Sequence, residues 1–210
     1  MPRRRFHELP QERRDQLLEA AAREFAQHGY DGASLNRILA AAGVSKGAAY
    51  YYFDDKADLF ATAARHGFDL VLGHVSVDFT TLDAQSFWPT IRALYVALDV
   101  HAREQPWLLG ITKAVWTLSQ EARGNEILAP LWEFARSWLR ELVTRGQDVG
   151  VIRRDLPVEL LIEVLLAIDS VFDQYQLGRI HETGGLATPA LFDALLDMAR
   201  RGLAPPGATP

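Results

Sequence analysis

Between Ser34 and Phe53 the chain has room for two short helices and one tight turn. "SLNRILAAA" runs into Gly43, and "SKGAAYYYF" begins after the single residue Val44. Ser34 is the expected N-cap of the first helix, which sets Leu35, Ile38, Leu39 and Ala42 on one face. Gly43 stops that helix, and Ser45 is placed to cap the next, about two turns long. Upstream, "LPQERRDQLLEAAAREFAQHGY" puts Leu17, Ala21 and Phe25 on one face with Leu18 and Ala22 beside them. Pro10 suits its first turn and Gly29 the position just past its end. Three short helices with a glycine turn between the second and third make a helix-turn-helix. The last helix of such a motif enters the DNA major groove.

The remainder also reads as helix, without strand alternation. Asp55 followed by Asp58 resembles a capping box, with Leu59 and Phe60 as the first core residues after it. Helices are expected at about 55–76 and 86–104, the latter ended by the Gln105-Pro106 step, and at about 106–121. "NEILAPLWEFARSWLRELVTR", "PVELLIEVLLAIDSVFDQYQL" and "PALFDALLDMARRGL" follow. Gly124, Gly146, Gly150, Gly184 and Gly185 mark the loops, and no repeat of solenoid period is present. The fold class is therefore all-α: a three-helix head over residues 1–54, a larger helical domain over 55–203, and a disordered tail, "APPGATP", over 204–210.

Composition narrows the chemistry. Among 210 residues there is no cysteine, which excludes a disulfide framework, a thiolate nucleophile and a Cys-based metal site. The opening "MPRRRFHELPQERRDQ" lacks the apolar stretch of a signal peptide, and no uncharged apolar run is long enough to span a membrane. The expected location is cytoplasmic. Net charge is −5, but residues 1–53 carry eight Lys/Arg against six Asp/Glu (+2), and residues 54–210 carry fourteen against twenty-one (−7). That permits a small nucleic-acid-contacting head on an acidic body. His66, His74, His101 and Glu104 have no metal-ligand spacing, so neither metal nor cofactor is expected.

The three consecutive tyrosines fit a helix with two jobs. Ala49 and Phe53, four apart, form its inward stripe, while Lys46, Ala48, Tyr50, Tyr51 and Tyr52 point outward or sideways. A tyrosine ring packs on sugar and thymine methyls and its hydroxyl reaches a phosphate. Gly47 and Ala48 lack bulk and let the backbone come close to the groove. Tyr50 or Tyr52 has the alternative of packing into the core. Over residues 10–60, the ordered set Phe25…Gly29-Tyr30, Ser34, Ala42-Gly43-Val44-Ser45-Lys46-Gly47, Tyr50-x-Tyr52-Phe53 and Lys56-x-x-Leu59 resembles the DNA-binding domain of the TetR/AcrR family of transcriptional repressors. Ala48 stands where the family usually has Thr, Ala49 where Leu is common, and Tyr51 where His is common, so the operator is left open.

The resemblance implies roles position by position. Lys46, Gly47, Ala48 and Tyr51 would face bases or adjacent backbone. Tyr50, Tyr52 and Lys56 would grip phosphates, and Ser34, Asn36 and Arg37 would touch the DNA backbone. Arg3, Arg4 and Arg5 precede the first helix as a basic arm, either free or laid on DNA. The resemblance further implies a ligand pocket in the larger domain, where Trp88, Tyr95, Trp107, Trp116, Trp132, Trp138 and Phe172 supply aromatic surface; the alternative for each is ordinary bundle core. Asp169 and Asp173, four apart in an apolar helix, need partners: a cationic ligand, or an Arg across a dimer interface. That helix is apolar too far round for one neighbour. Leu161, Leu165, Ile168 and Phe172, with Leu191 and Leu195 of the final helix, are the expected homodimer surface.

The function implied is a homodimeric, ligand-responsive repressor, released from a near-palindromic double-stranded operator when a small apolar or aromatic ligand binds. It is not an enzyme. The competing readings are an all-helical enzyme with an apolar substrate, against which the absence of Ser/His/Asp order and phosphate-binding Gly loops counts, and a DNA-binding protein without an inducer.

Overall fold

A computed structural model of the chain describes residues 2–45, 51–74, 77–122, 124–183 and 189–207; side chains at 71–74, 98–99, 173, 176–183 and 189 lie outside that description. The described residues hold helices and turns and no strand. In chain order they are α1 (Arg4–His7), α2 (Gln11–Gly32), α3 (Leu35–Ala41), α4 (Lys56–His74), a 3₁₀ turn (Phe79–Thr81), α5 (Phe87–Glu104), α6 (Trp107–Ser119), α7 (Gly124–Ile127), α8 (Ala129–Asp148), α9 (Val158–Thr183) and α10 (Pro189–Leu203). Tyr51 and Tyr52 are helical. Two compact units result: residues 1–73 with 100–133, and residues 74–99 with 134–210.

Local signals account for most boundaries. Pro10 sits at the N-cap of α2, one residue before the helix proper, and its carbonyl accepts from the N–H groups of Arg13 and Arg14. Gly29 breaks α2 with φ of +67°, a left-handed conformation that disfavours any residue with a Cβ. The single helix expected from Asn125 onward is two. Pro130 has no N–H to donate and is tolerated only in a first turn, so α7 closes at Ile127 and α8 restarts at Ala129. At α4, Asp58 N–H donates to the Asp55 carboxylate (2.8 Å) and Asp54 N–H to that of Asp58 (3.3 Å), a reciprocal cap.

Ser34 departs from its expected role. It holds the N-cap backbone position of α3, but its side chain makes no capping bond. Glu24, from the middle of α2, does the work: its carboxylate accepts the Ser34 N–H at 2.9 Å and Arg37 Nε at 2.8 Å. A carboxylate bridging a free helix N–H and a guanidinium is a stronger acceptor than a serine hydroxyl.

The first unit is built on Phe25 and Phe60, both fully buried, with ring centroids 4.8 Å apart and edge to face. Leu17, Ile38, Leu39 and Phe53 join the same core, and so do Trp107, Leu108, Ile111 and Leu118 of α6. The three-helix head therefore shares its core with α6. α2 and α6 approach closely: a Cβ placed on Gly110 would lie 2.4 Å from Ala26 Cβ. In the second unit Gly146 plays the equivalent part, since a Cβ there would meet Ile152 Cδ1 at 2.6 Å. Arg136 pairs with Glu163 and Arg140 with Glu159, joining α8 to α9. Arg153 N–H donates to Leu203 O (2.7 Å), tying the loop before α9 to the end of α10. Of the tail, 204–207 are described as a bend and turn, and 208–210 lie outside the described residues.

Candidate nucleic-acid interface and ligand cavity

Lys46, Gly47, Ala48 and Tyr50, expected to read DNA, lie outside the described residues. Tyr51 and Tyr52 are described and helical, and the two divide. Tyr51 is 54% exposed. Tyr52 is half-buried, its ring 6.4 Å from that of Phe6, and Phe53 is core. The geometry has a simple origin: Tyr52 and Phe53 face a turn of helix that the sequence reading took for a basic arm. In α1, Phe6 is buried with its ring 5.0 Å from Phe53. Arg3 N–H donates to Tyr52 O at 2.8 Å, and Arg3 pairs with Asp54 at 2.7 Å. Arg5 lies 5.0 Å above the Tyr51 ring, a cation–π geometry. Arg4 is bonded to Glu8 and is 92% exposed. The signal for this docking was a lone phenylalanine among arginines, and it was passed over because four residues are too few to read as a helix.

Other cations of the head are engaged. Arg37 is held by Glu24 and by Gly32 O (2.8 Å). The Lys56 ammonium donates to Asp31 O at 3.0 Å and sits 5.0 Å over the Tyr30 ring. Asn36 is exposed. Burial pushes the Glu24 carboxyl up, but the hydrogen bonds from Arg37 and Ser34 N–H outweigh it and leave the pKa lowered. A carboxylate whose pKa is lowered by folding adds stability above its unfolded pKa of about 4.3 and loses it as pH falls through the folded value. Glu24→Gln is therefore expected to lower the urea midpoint at pH 7, with the gap closing below about pH 4. A gap unchanged from pH 7 to 3 would show that charge is not what matters at Glu24.

The second unit contains a cavity of about 70 Å³. Trp88, Tyr95 and Asp169 line it, and so do Leu165, Ile168 and Leu195, which the sequence reading placed on a dimer surface. Phe172 is buried close by, its ring 6.5 Å from Tyr95 and 6.2 Å from Phe192. The other tryptophans are elsewhere. Trp107 is in the core of the first unit with Trp132 packed against that core, and Trp116 is half-buried in the same unit. Trp138 meets Phe79 edge-on at 5.4 Å. Leu161 is buried and Leu191 half-buried, and the side chain of Asp173 lies outside the described residues. Among the described residues, the large apolar side chains that α9 and α10 leave exposed are Leu160, Val164, Val171, Tyr175 and Met198.

Asp169 accepts a hydrogen bond from Tyr95 Oη at 2.8 Å. It is open to solvent on one side and crowded by apolar groups on the other; that crowding pushes its carboxyl up, and the tyrosine hydroxyl only partly opposes it. Among the described residues no group of three His, Asp or Glu could hold a metal ion, and no helix is long and apolar enough to cross a membrane.

Residues 17–63 match the model for bacterial regulatory proteins of the tetR family. The HTH-type transcriptional repressor SCO4008 of Streptomyces coelicolor is 31% identical over 201 residues, covering 91% of this chain and 95% of that protein. The HTH-type transcriptional repressor AcnR of Corynebacterium glutamicum is 30% identical over 156 residues, covering 72% and 75%. The chain belongs to the tetR family. Its all-helical fold agrees: the crystal structure of the regulator FadR from Bacillus subtilis, in complex with stearoyl-CoA, superposes with a TM-score of 0.69 at 17% identity, over 90% of this chain and 98% of that one. The family match runs from α2 into α4 and spans α3 and the tyrosine helix. As a tetR-family member the protein is a transcriptional regulator and not an enzyme.

Proposed function

We propose that this tetR-family regulator is a cytoplasmic homodimeric repressor that binds a near-palindromic operator and leaves it when a small apolar or aromatic ligand occupies the cavity of the second unit. Residues 1–54 read DNA; residues 55–203 hold the ligand and the partner subunit. The observation that carries the reading is the end of the tyrosine helix, where exposed Tyr51 lies beneath Arg5. That pairing offers an aromatic face and a cation together, suited to sugar and phosphate. Lys46, Gly47, Ala48 and Tyr50, the residues just before Tyr51 in the chain, are proposed to read the DNA with it. Arg3, Arg37 and Lys56 hold the head's own structure, with DNA contact secondary to that.

We place the dimer surface on a different face of these helices from the one expected. Leu165, Ile168 and Leu195 face the cavity, so the partner covers the outward face of Leu160, Val164, Val171, Tyr175 and Met198. A two-fold pair of heads then addresses two half-sites about one helical turn apart. Ligand acts through its differential affinity for the DNA-competent and released states.

The test is a fluorescence-anisotropy titration with DNA flanking the protein's own coding region, at several salt concentrations. Affinity is expected to fall linearly in log–log with salt, with a slope of about −0.9 per phosphate contacted. Lys46→Ala and Tyr51→Ala are each expected to weaken binding roughly tenfold while the circular dichroism and molecular mass of the dimer stay unchanged. Wild-type affinity in both variants, or a response flat in salt, would remove the tyrosine helix from the interface.

A further inference from the structure

We propose that the cavity between α5, α9 and α10 takes a compact lipophilic amine, with Asp169 and Tyr95 as its polar anchor. The proposal rests on the reading of this cavity as the ligand site and names the chemistry it selects.

Three observations support it. The wall is built from Trp88, Ile91, Ile168, Phe192 and other apolar side chains, and among the described residues that line it Asp169 is the one that is charged. A carboxylate against apolar surface is costly unless a donor or a cation meets it. Tyr95 Oη supplies one hydrogen bond, and two carboxylate oxygens accept about four. Water reaches the open side of Asp169, and an ammonium, with three donors and the opposite charge, can replace that water while its alkyl chain meets the apolar wall. Arg92, three residues before Tyr95 on α5, is engaged elsewhere: it is held by both oxygens of Asp193, at 2.6 and 3.1 Å. An anionic ligand would meet like charge at Asp169.

Size sets the rest of the class. The cavity is about 70 Å³, roughly half the 150 Å³ that holds benzene in an engineered apolar cavity. A five- or six-atom chain fits with modest movement of the wall. The stacked pair Tyr95 and Phe192, with centroids 4.2 Å apart, joins α5 to α10 at the same place. A ligand seated on Asp169 therefore presses on the contact between those helices.

The experiment uses the full-length protein with pentylamine, 1-pentanol and pentanoate, three probes of one length that differ in the head group. Binding is read by calorimetry and by the shift in Tm. Pentylamine is expected to bind roughly tenfold or more tightly than pentanol, as for a hydrogen bond to a charged group, and pentanoate not at all. Asp169→Asn keeps shape and an acceptor for Tyr95, and is expected to reduce the amine's advantage to about twofold or less. Tyr95→Phe keeps the carboxylate and is expected to retain the amine preference. Equal affinity for amine and alcohol in the wild type, a preference that survives Asp169→Asn, or no binding of any probe overturns the proposal. Operator binding by each variant, measured by anisotropy without any probe, is expected to match wild type. It tests the repressor reading separately, so the two can fail independently.

Discussion

Phe60→Ala is expected to cost about 3–5 kcal/mol, the usual range for a buried phenylalanine truncated in a packed core. Phe60 is fully buried, and Phe25 and Tyr30 pack edge-on against it at 4.8 and 5.3 Å. Removing the ring takes an edge-to-face contact from each and opens a void that fixed helices cannot close. Small domains have net stabilities of about 5–15 kcal/mol, so the loss is a large fraction of the total. The measurement is the urea midpoint of wild type, Phe60→Leu and Phe60→Ala. The leucine variant is expected to lie between the other two, because it fills part of the volume. Operator affinity is expected to fall with stability, since the head and α6 share this core. A Phe60→Ala protein within 1 kcal/mol of wild type, far below the roughly 3 kcal/mol minimum expected, would show that the packing is looser than these distances imply.

Gly110→Val is the second large effect, and it works by excess volume instead of loss. A Cβ at Gly110 lies 2.4 Å from Ala26 Cβ and 3.1 Å from Ala26 Cα. Neither neighbour is the end of a flexible chain, so α2 and α6 must separate. Overpacking in a well-filled core costs about 1–3 kcal/mol and occasionally more; here it also pushes on the helix that carries Glu24, the cap of α3. Gly110→Val is therefore expected to weaken operator binding more than an equal loss of stability elsewhere would. The control is Gly202→Val, at a helical glycine with nothing within 4 Å of an added Cβ, expected to cost about 0.5 kcal/mol or less. Equal midpoints and equal DNA affinity for the two variants would mean that the α2–α6 contact is not tight.

Sequence reasoning and structure agree where the signal is local. The helices from α2 onward follow a 3.6-residue apolar period punctuated by glycine and proline, and that pattern needs no knowledge of what the chain packs against. It yielded the helix-turn-helix, the reciprocal cap at Asp55 and Asp58, and the ordered motif from Phe25 to Leu59 that the family match independently spans. The split at Pro130 was equally local, and was missed because a proline can also sit inside a first turn.

What local pattern could not give was the identity of partners distant in sequence. Ser34 had the right residue type and position for a cap, yet Glu24, ten residues earlier, took its N–H. Lys56 carries a charge suited to phosphate, but Asp31 O and the Tyr30 ring hold it. Arg3 reads from sequence as part of a basic arm, free or laid on DNA, yet Arg3 and Phe6 are docked on Tyr52 and Phe53. In α9, an apolar surface that runs most of the way round the helix carries no direction, so the sequence could say that two neighbours were needed but not which residues met which. Tertiary packing turned Leu165 and Ile168 toward the cavity and left Val164 and Val171 outside. The sequence by itself determined the helices, their order and the DNA-reading motif, because backbone hydrogen bonding and side-chain period act over a few residues. Only the tertiary structure decided which charges were spent on the fold, which apolar face was left outward and that one carboxylate stood on the cavity wall, because those depend on contacts between residues far apart in the chain.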